Sequence, residues 1–208
     1  VMSKKLIIVF EGIEGTGKSH HINNVSKYLK KIKKKFIHIR EPGGSINSEK
    51  IRKLILNNKS SFNKYTDLLL YLSARSENIE LIKKNIGKKI ILIDRFSDST
   101  IAYQHYGMGV NLKFIKNIND FLLKGINVDF TFLNTVNQKN MKNRLKKRKK
   151  LNRYDRFNYN FYDKVQKGFK KILSKNPKKY MLINSNLNIE HNEEIILDKI
   201  NNLILVWF

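Results

Sequence analysis

The chain has 208 residues, 41% of them apolar and none of them cysteine, with 42 Lys and Arg against 17 Asp and Glu for a formal charge of +25. That length and apolar content exclude wholesale disorder and predict one domain over residues 1–208 that hides roughly 70% of its unfolded surface. The missing cysteine excludes disulfides, thiolate nucleophiles and metal sites that need Cys ligands, and no apolar run reaches the length of a membrane span or signal-peptide core, so a soluble cytoplasmic protein is expected.

In chain order, short apolar runs rich in β-branched and aromatic residues alternate with helix-length segments. Leu6 to Phe10, Phe36 to Ile39, Ile90 to Ile93, Val128 to Leu133 and Tyr180 to Ile183 read as buried strands, being brief and not alternating. Helices are predicted near 18–33, 46–58, 64–86, 98–105, 111–124, 137–149, 157–175 and 189–205. The alternation predicts an α/β fold, a doubly wound five-stranded parallel sheet flanked by helices, with ligands at the carboxyl ends of the strands. The last helix carries an apolar stripe (Ile195, Ile196, Ile200, Leu203, Ile204) that reads as core packing. Val1, ahead of Met2, reads as a numbering remnant.

After the first strand comes Gly12-Ile13-Glu14-Gly15-Thr16-Gly17-Lys18-Ser19, which fits G-x-x-x-x-G-K-[ST] and opens a helix at Lys18. Glycines there let backbone N–H groups turn inward on phosphates, the helix start adds its positive dipole end, and Lys18 adds a point charge. A nucleoside triphosphate is the expected first ligand, with Ser19 on Mg²⁺. Asp94 leaves the apolar run Ile90 to Ile93 beside this loop, where a carboxylate suits Mg²⁺ or its water shell; pairing with Arg95 or capping the next helix is the alternative.

The charge has two readings. Only eight of the 42 basic residues are arginine, and Lys, Asn and Ile, all abundant here, are the residues of A/T-only codons. An A+T-rich genome therefore accounts for the lysines without a nucleic-acid partner, and net charge alone is weak support for one. Where Lys is the default, a retained Arg marks places that need a planar, bidentate donor.

Four further stretches narrow the chemistry: Phe10-Glu11-Gly12 entering the loop, Arg40-Glu41-Pro42-Gly43-Gly44-Ser45 after the second strand, Tyr71-Leu72-Ser73-Ala74-Arg75 on a helix, and Asp94-Arg95-Phe96-Ser97-Asp98-Ser99-Thr100-Ile101-Ala102-Tyr103-Gln104 after the third strand. Together they resemble the thymidylate kinase family, P-loop nucleoside monophosphate kinases, in motif order and spacing from residue 6 to residue 175. The resemblance implies phosphoryl transfer from MgATP to dTMP. It implies that Arg75 and Arg95 bind the monophosphate, that Tyr71 stacks on thymine, and that Ser99, Thr100 and Gln104 line the base pocket. It further places Tyr103 near the sugar, Glu14 at the deoxyribose 3′-hydroxyl, and Arg52 and Pro42 on the substrate side, with the Glu41-Pro42 bond cis. On the ATP side it implies Gly12, Gly15, Thr16, Gly17, Lys18, Ser19 and His20.

Arg144 to Phe157 resembles the lid of bacterial members. Some relatives carry an arginine inside the phosphate loop, where this chain has Gly15, so the resemblance implies a donor-phosphate arginine from the lid: Arg148 first, then Arg153 and Arg156. The expected catalytic set is Lys18, Arg95, Arg148 and Glu14, with Ser19 and Asp94 on the metal. The chain departs from the family at Ser19-His20-His21 and after Phe157, where the lid is shortened by about one helical turn. A homodimer is implied by resemblance, and neither a specific nucleic acid nor a membrane is expected as partner. Two alternatives stay open: a kinase for another deoxynucleotide or a deoxynucleoside, and a nucleotide-dependent nucleic-acid-binding protein whose lid aromatics (Tyr154, Phe157, Tyr159, Phe161) grip a single strand.

Overall fold

The structure, a computed structural model, describes residues 6–207; the numbering remnant read at Val1 lies outside them. Five parallel strands form one sheet: β1 (Ile7–Gly12), β2 (Phe36–Arg40), β3 (Ile90–Asp94), β4 (Phe130–Thr135) and β5 (Tyr180–Asn184), in the order β2-β3-β1-β4-β5. The chain winds one way from β1 to β2 and the other way to β4, so the order reverses beside β1, and the loop that follows β1 opens at this switch point. The register pairs Phe10 with both Asp94 and Phe132, which brings the carboxyl ends of β1, β3 and β4 level.

Alternation along β1 explains the two-sided core. Leu6, Ile8 and Phe10 face a cluster with Ile22, Val25 and Leu29 of α1 (Lys18–Lys31) and Ile196, Ile200 and Ile204 of α8 (Ile189–Trp207). Ile7 and Val9 face the opposite cluster, with Ile79 and Ile82 of α3 (Lys64–Asn85) and Ile91, Ile93 and Phe96. The apolar stripe of the last helix is thus core: Ile196, Ile200 and Ile204 are buried and Ile195 and Leu203 pack on them. No helix among the described residues is long and apolar enough to cross a membrane.

The asparagines that enrich the chain serve as helix caps. Asn63, Asn111, Asn137 and Asn158 each accept, through Oδ1, a backbone N–H of the first turn, at the starts of α3, α5 (Leu112–Leu122), α6 (Gln138–Lys146) and α7 (Tyr159–Lys175). Ser45 does the same for α2 (Ile46–Leu56). The predicted helix at 98–105 is two pieces: α4 (Ser97–Thr100) followed by a π-helical stretch, Ile101–Gly107, in which the Met108 N–H reaches back to the Tyr103 carbonyl at 3.0 Å. Such widened turns gather at functional sites. This one carries Tyr103 and Gln104, both buried, and packs on α7 so closely that a Cβ on Gly168 would lie 2.5 Å from the Tyr106 ring.

Candidate active site

The phosphate loop leaves β1 through Gly12, which has φ +137° and lies so close to β4 that an added Cβ would sit 2.2 Å from the Asn134 carbonyl oxygen. Only glycine fits that approach. The loop turns through Gly15 and through Gly17, which stands in the left-handed region as the N-cap of α1. Thr16 donates its hydroxyl to the Ile13 carbonyl at 2.8 Å, and Lys18 donates to the carbonyls of Gly12 and Ile13, each at 2.8 Å. Burial, and then the charge of Arg95, hold the Lys18 ammonium down to about 7, against the pull of Asp94, Glu14 and Glu11. A cation held this way gains from any phosphate brought into the loop.

The metal residues expected from sequence touch each other: Ser19 donates to Asp94 Oδ2 at 3.1 Å. Asp94 Oδ1 is buried and has no hydrogen-bond partner. No cluster of three or more His, Cys, Asp or Glu side chains forms a complete cage among the described residues. One hydroxyl and one carboxylate oxygen fit Mg²⁺, which keeps several waters and takes the rest of its shell from phosphate oxygens.

Beyond the loop, a cavity of about 190 Å³ is lined by Glu14, Lys18, Ser19, Pro42, Arg52, Tyr71, Arg75, Asp94, Arg95, Ser99, Thr100, Tyr103, Gln104 and Arg148, which are all of the residues expected for dTMP, catalysis and metal. Arg95 is its pivot. With φ +67° it occupies a conformation unusual for a non-glycine residue, a form of strain that clusters at functional sites. Its Nη1 donates to the Gly12 carbonyl at 2.9 Å and to the Tyr103 hydroxyl at 3.1 Å, and its Nη2 donates to Glu14 Oε1 at 2.7 Å. Glu14 also accepts from the Tyr103 hydroxyl at 2.5 Å. Burial alone would raise the Glu14 carboxyl; Arg95 and Lys18 outweigh it and hold Glu14 below the ordinary carboxylate value.

The arginines divide by how their donors are used. Arg75 is buried at 1% exposure, pairs through Nε and Nη2 with Glu41 Oε2 at 2.9 Å, and donates from Nη1 to Asn119 Oδ1 at 2.7 Å. Its charge is therefore already balanced. Arg52 has one hydrogen bond, Nη1 to the Pro42 carbonyl at 2.6 Å, and is pushed below its ordinary value by burial and by the like charges of Arg40 and Arg95. Arg52 is thus a cation with no carboxylate hydrogen-bonded to it among the described residues, whereas Arg95 is paired with Glu14 and held well above its ordinary value by Glu14, Asp94 and Glu11 against the cost of burial. The Glu41-Pro42 bond beside them is cis.

The sequence pattern described as Thymidylate kinase matches residues 10–196. A thymidylate kinase of Wolbachia pipientis wMel is 38% identical over 203 residues, covering 94% of this chain and 100% of that one. One from Thermosipho africanus is 38% identical over 188 residues, 89% of this chain and 92% of its own.

The chain belongs to the thymidylate kinase family.

The solved thymidylate kinase of Ehrlichia chaffeensis superposes with a TM-score of 0.77 at 29% identity, over 94% of this chain and 98% of that one. The kinase fold expected of the sequence is thereby the fold of the family.

Three of the expected donor-side residues, Arg153, Arg156 and His20, do not line this cavity, and neither do Gly12, Gly15, Thr16 and Gly17 of the loop. Arg153 pairs with Asp67, donates from Nε to the Ile55 carbonyl at 3.0 Å, lies against the rings of Phe62 and Tyr154, and does not line the cavity. Arg156 is exposed and does not line the cavity. The ring of His20 bonds Glu193 of α8 at 2.5 Å and does not line the cavity either. Arg148 lines it, paired with Asp155 at 2.5 Å. Of the lid aromatics, Tyr154 is buried, Phe157 and Phe161 stack on each other with centroids 4.1 Å apart, and Phe157, Tyr159 and Phe161 are half-buried against the same core cluster.

Two residues of the site carry no local signal in the sequence, Glu11 and Arg144. Glu11 accepts from the backbone N–H groups of Phe96 (2.8 Å) and Ser99 (3.1 Å) and from the Ser99 hydroxyl (2.5 Å), clamping the loop that carries Arg95. Burial, and next Asp98, raise it to about 7. Arg144, on α6, donates to the Gly15 carbonyl at 2.9 Å and the Ser185 carbonyl at 2.6 Å, bracing the phosphate loop from outside. A buried carboxylate can be found in sequence only when its partners are near in the chain, and Glu11 and Ser99 are 88 residues apart.

Proposed function

We propose that this member of the thymidylate kinase family moves the γ-phosphoryl group of ATP onto the phosphate of dTMP, giving dTDP and ADP for dTTP synthesis. The observation that carries this reading is Arg95: the cation suited to the acceptor phosphate is hydrogen-bonded to Gly12 of the donor-phosphate loop itself, so one cavity brackets both phosphates. Arg52 and Arg95 take the monophosphate. Arg75, neutralised by Glu41, offers its remaining N–H groups to an uncharged acceptor on the nucleotide as readily as to phosphate. Tyr71 provides a face for the base, a contact worth on the order of 1–3 kcal/mol. Glu14 and Tyr103 receive the sugar, Glu14 accepting from the 3′-hydroxyl and the Tyr103 ring leaving no room for a 2′-hydroxyl.

The protein's part in the chemistry is positioning and charge stabilisation. The loop amides and Lys18 hold the donor phosphates. Ser19 and Asp94 would hold Mg²⁺, which when bound neutralises charge on the β- and γ-phosphates. The acceptor phosphate is already ionised at neutral pH and needs no general base. Arg148 on the lid is the cis-acting arginine for the transferring group, a role worth about 10³ or more in rate. The cytoplasm is the proposed compartment. A homodimer through the helices that flank the sheet is the proposed assembly, supported by Leu69 on α3 and Phe121 on α5, large apolar side chains left exposed on two helices that pack together.

The test is ATP consumption with dTMP, dUMP, dGMP or thymidine as acceptor, with Lys18→Ala as control. Turnover highest with dTMP, absent with thymidine and lower by about 10² or more in the control is expected. Equal turnover with thymidine, or a fully active Lys18→Ala, overturns the proposal.

A further inference from the structure

Asp67, in the first turn of α3, is an acidic side chain with 1% exposure that no step above uses. A buried carboxylate is tolerated only when its oxygens are paired, and the partners here come from two separate stretches. Arg153 of the lid donates to Oδ1. The Tyr154 hydroxyl, also from the lid, donates to Oδ2 at 2.5 Å, and so does Gln104 Nε2, from the π-helical stretch in the base pocket, at 3.1 Å. The Tyr154 ring stands edge-on to Tyr71 and to Tyr103, with centroids 5.9 and 5.8 Å away. We propose that Asp67 is a positioning residue that couples closure of the lid to recognition of the monophosphate's base, by holding Arg153, Tyr154 and Gln104 on one carboxylate.

Two consequences follow from the donor and acceptor roles, and both rest on the kinase reading above. An amide whose nitrogen is committed to a carboxylate has its carbonyl oxygen left to present, because the reverse orientation would set oxygen against oxygen. Gln104 therefore offers an acceptor to the base, which suits a pyrimidine with a protonated N3, as in thymine or uracil, and opposes cytosine, whose N3 is a lone pair. Conversely, a lid that swings away strips Arg153 and Tyr154 from Asp67 and leaves a buried charge held by Gln104 alone. A base that fixes Gln104 and a lid that docks on Asp67 thus favour each other.

The test uses the full-length protein and three readouts: KM for dTMP against kcat, the ratio of kcat/KM for dTMP over dCMP, and trypsin cleavage in the exposed run Lys147 to Lys150 with and without dTMP, followed by mass spectrometry. Asp67→Asn keeps the volume and turns one acceptor into a donor. Losing a hydrogen bond to a charged group is worth about 10-fold or more, so the dTMP KM is expected to rise, and the dTMP over dCMP ratio to fall, by about that factor. Protection of the lid by dTMP is expected to be lost. Tyr154→Phe removes one hydroxyl and decides the matter should Asp67→Asn fail to fold; it is expected to move the same readouts in the same direction, about 3-fold or more. A merely structural Asp67 would lower thermal stability and leave the base ratio and the dTMP-dependent protection at wild-type values; that result overturns the proposal. Wild-type protein inactive on dTMP would instead sink the kinase reading itself.

Discussion

Replacing Glu41 by Gln isolates the energetics of the monophosphate wall. Glu41 and Arg75 have side-chain exposures of 4% and 1% and meet at 2.9 Å. At an effective dielectric of 20 their attraction is roughly 6 kcal/mol, but both charges have left water, so the pair's net worth is far smaller. Burial lifts the Glu41 carboxyl above its ordinary value even with Arg75 against it, the sign of a pair in which desolvation weighs heavily. Gln removes the charge and leaves the Arg75 guanidinium buried with Asn119 and the amide as its hydrogen-bond partners and the Phe96 ring 5.3 Å away. Stranding one member of a buried pair costs about 3–5 kcal/mol, a large part of a typical total of about 5–15 kcal/mol. At about 2–4 °C per kcal/mol for this size, the melting temperature is expected to fall by about 6–20 °C. Glu80→Gln, which breaks the exposed pair between Lys83 and Glu80, is the control and is expected to cost less than about 0.5 kcal/mol. Urea unfolding and thermal melts of both variants measure the difference. A loss below about 1 kcal/mol for Glu41→Gln, or an equal loss in the control, refutes the view of Arg75 as a buried cation dependent on Glu41.

Two other outcomes are expected. Because Lys18 is held down to about 7 in the free protein and phosphate restores its charge, the net proton uptake on nucleotide binding should grow as pH rises from 6 to 8; calorimetry in buffers of different ionisation enthalpy reads this, and uptake that does not grow with pH contradicts it. Tyr71→Ala should raise the dTMP KM by about 5- to 150-fold with little change in the KM for ATP, and steady-state kinetics showing equal changes in both would remove Tyr71 from the base site.

What sequence could and could not show follows from the range of each interaction. The strands were legible because buried parallel strands are continuous apolar runs, and four of five begin within a residue of expectation. The exception is the fourth, expected from Val128: its register with β1 starts at Phe130, and Asp129 ahead of it holds Ile7 by its backbone N–H, donated to the Ile7 carbonyl at 3.0 Å, and by its carboxylate, which accepts the Ile7 N–H at 2.7 Å. The phosphate loop was legible because its glycines, lysine and serine are contiguous. The π-helical turn was read as ordinary helix, since periodicity over seven residues does not separate bonding to the fifth residue from bonding to the fourth. The sequence offers Arg148, Arg153 and Arg156 alike as lid arginines, and nothing local shows that Arg153 pairs with Asp67, which lies 86 residues earlier in the chain. Charge neutralisation is likewise a property of pairs: nothing local marks Arg75 as bonded to a carboxylate and Arg52 as bonded to a backbone carbonyl.

The most direct measurement is the structure of the protein crystallised with dTMP. The phosphate is expected within hydrogen-bond distance of Arg95 and Arg52, with the base against Tyr71 and Gln104. A nucleotide seated outside this cavity, or one whose phosphate points away from Arg95 and the glycine loop, would contradict the assignment.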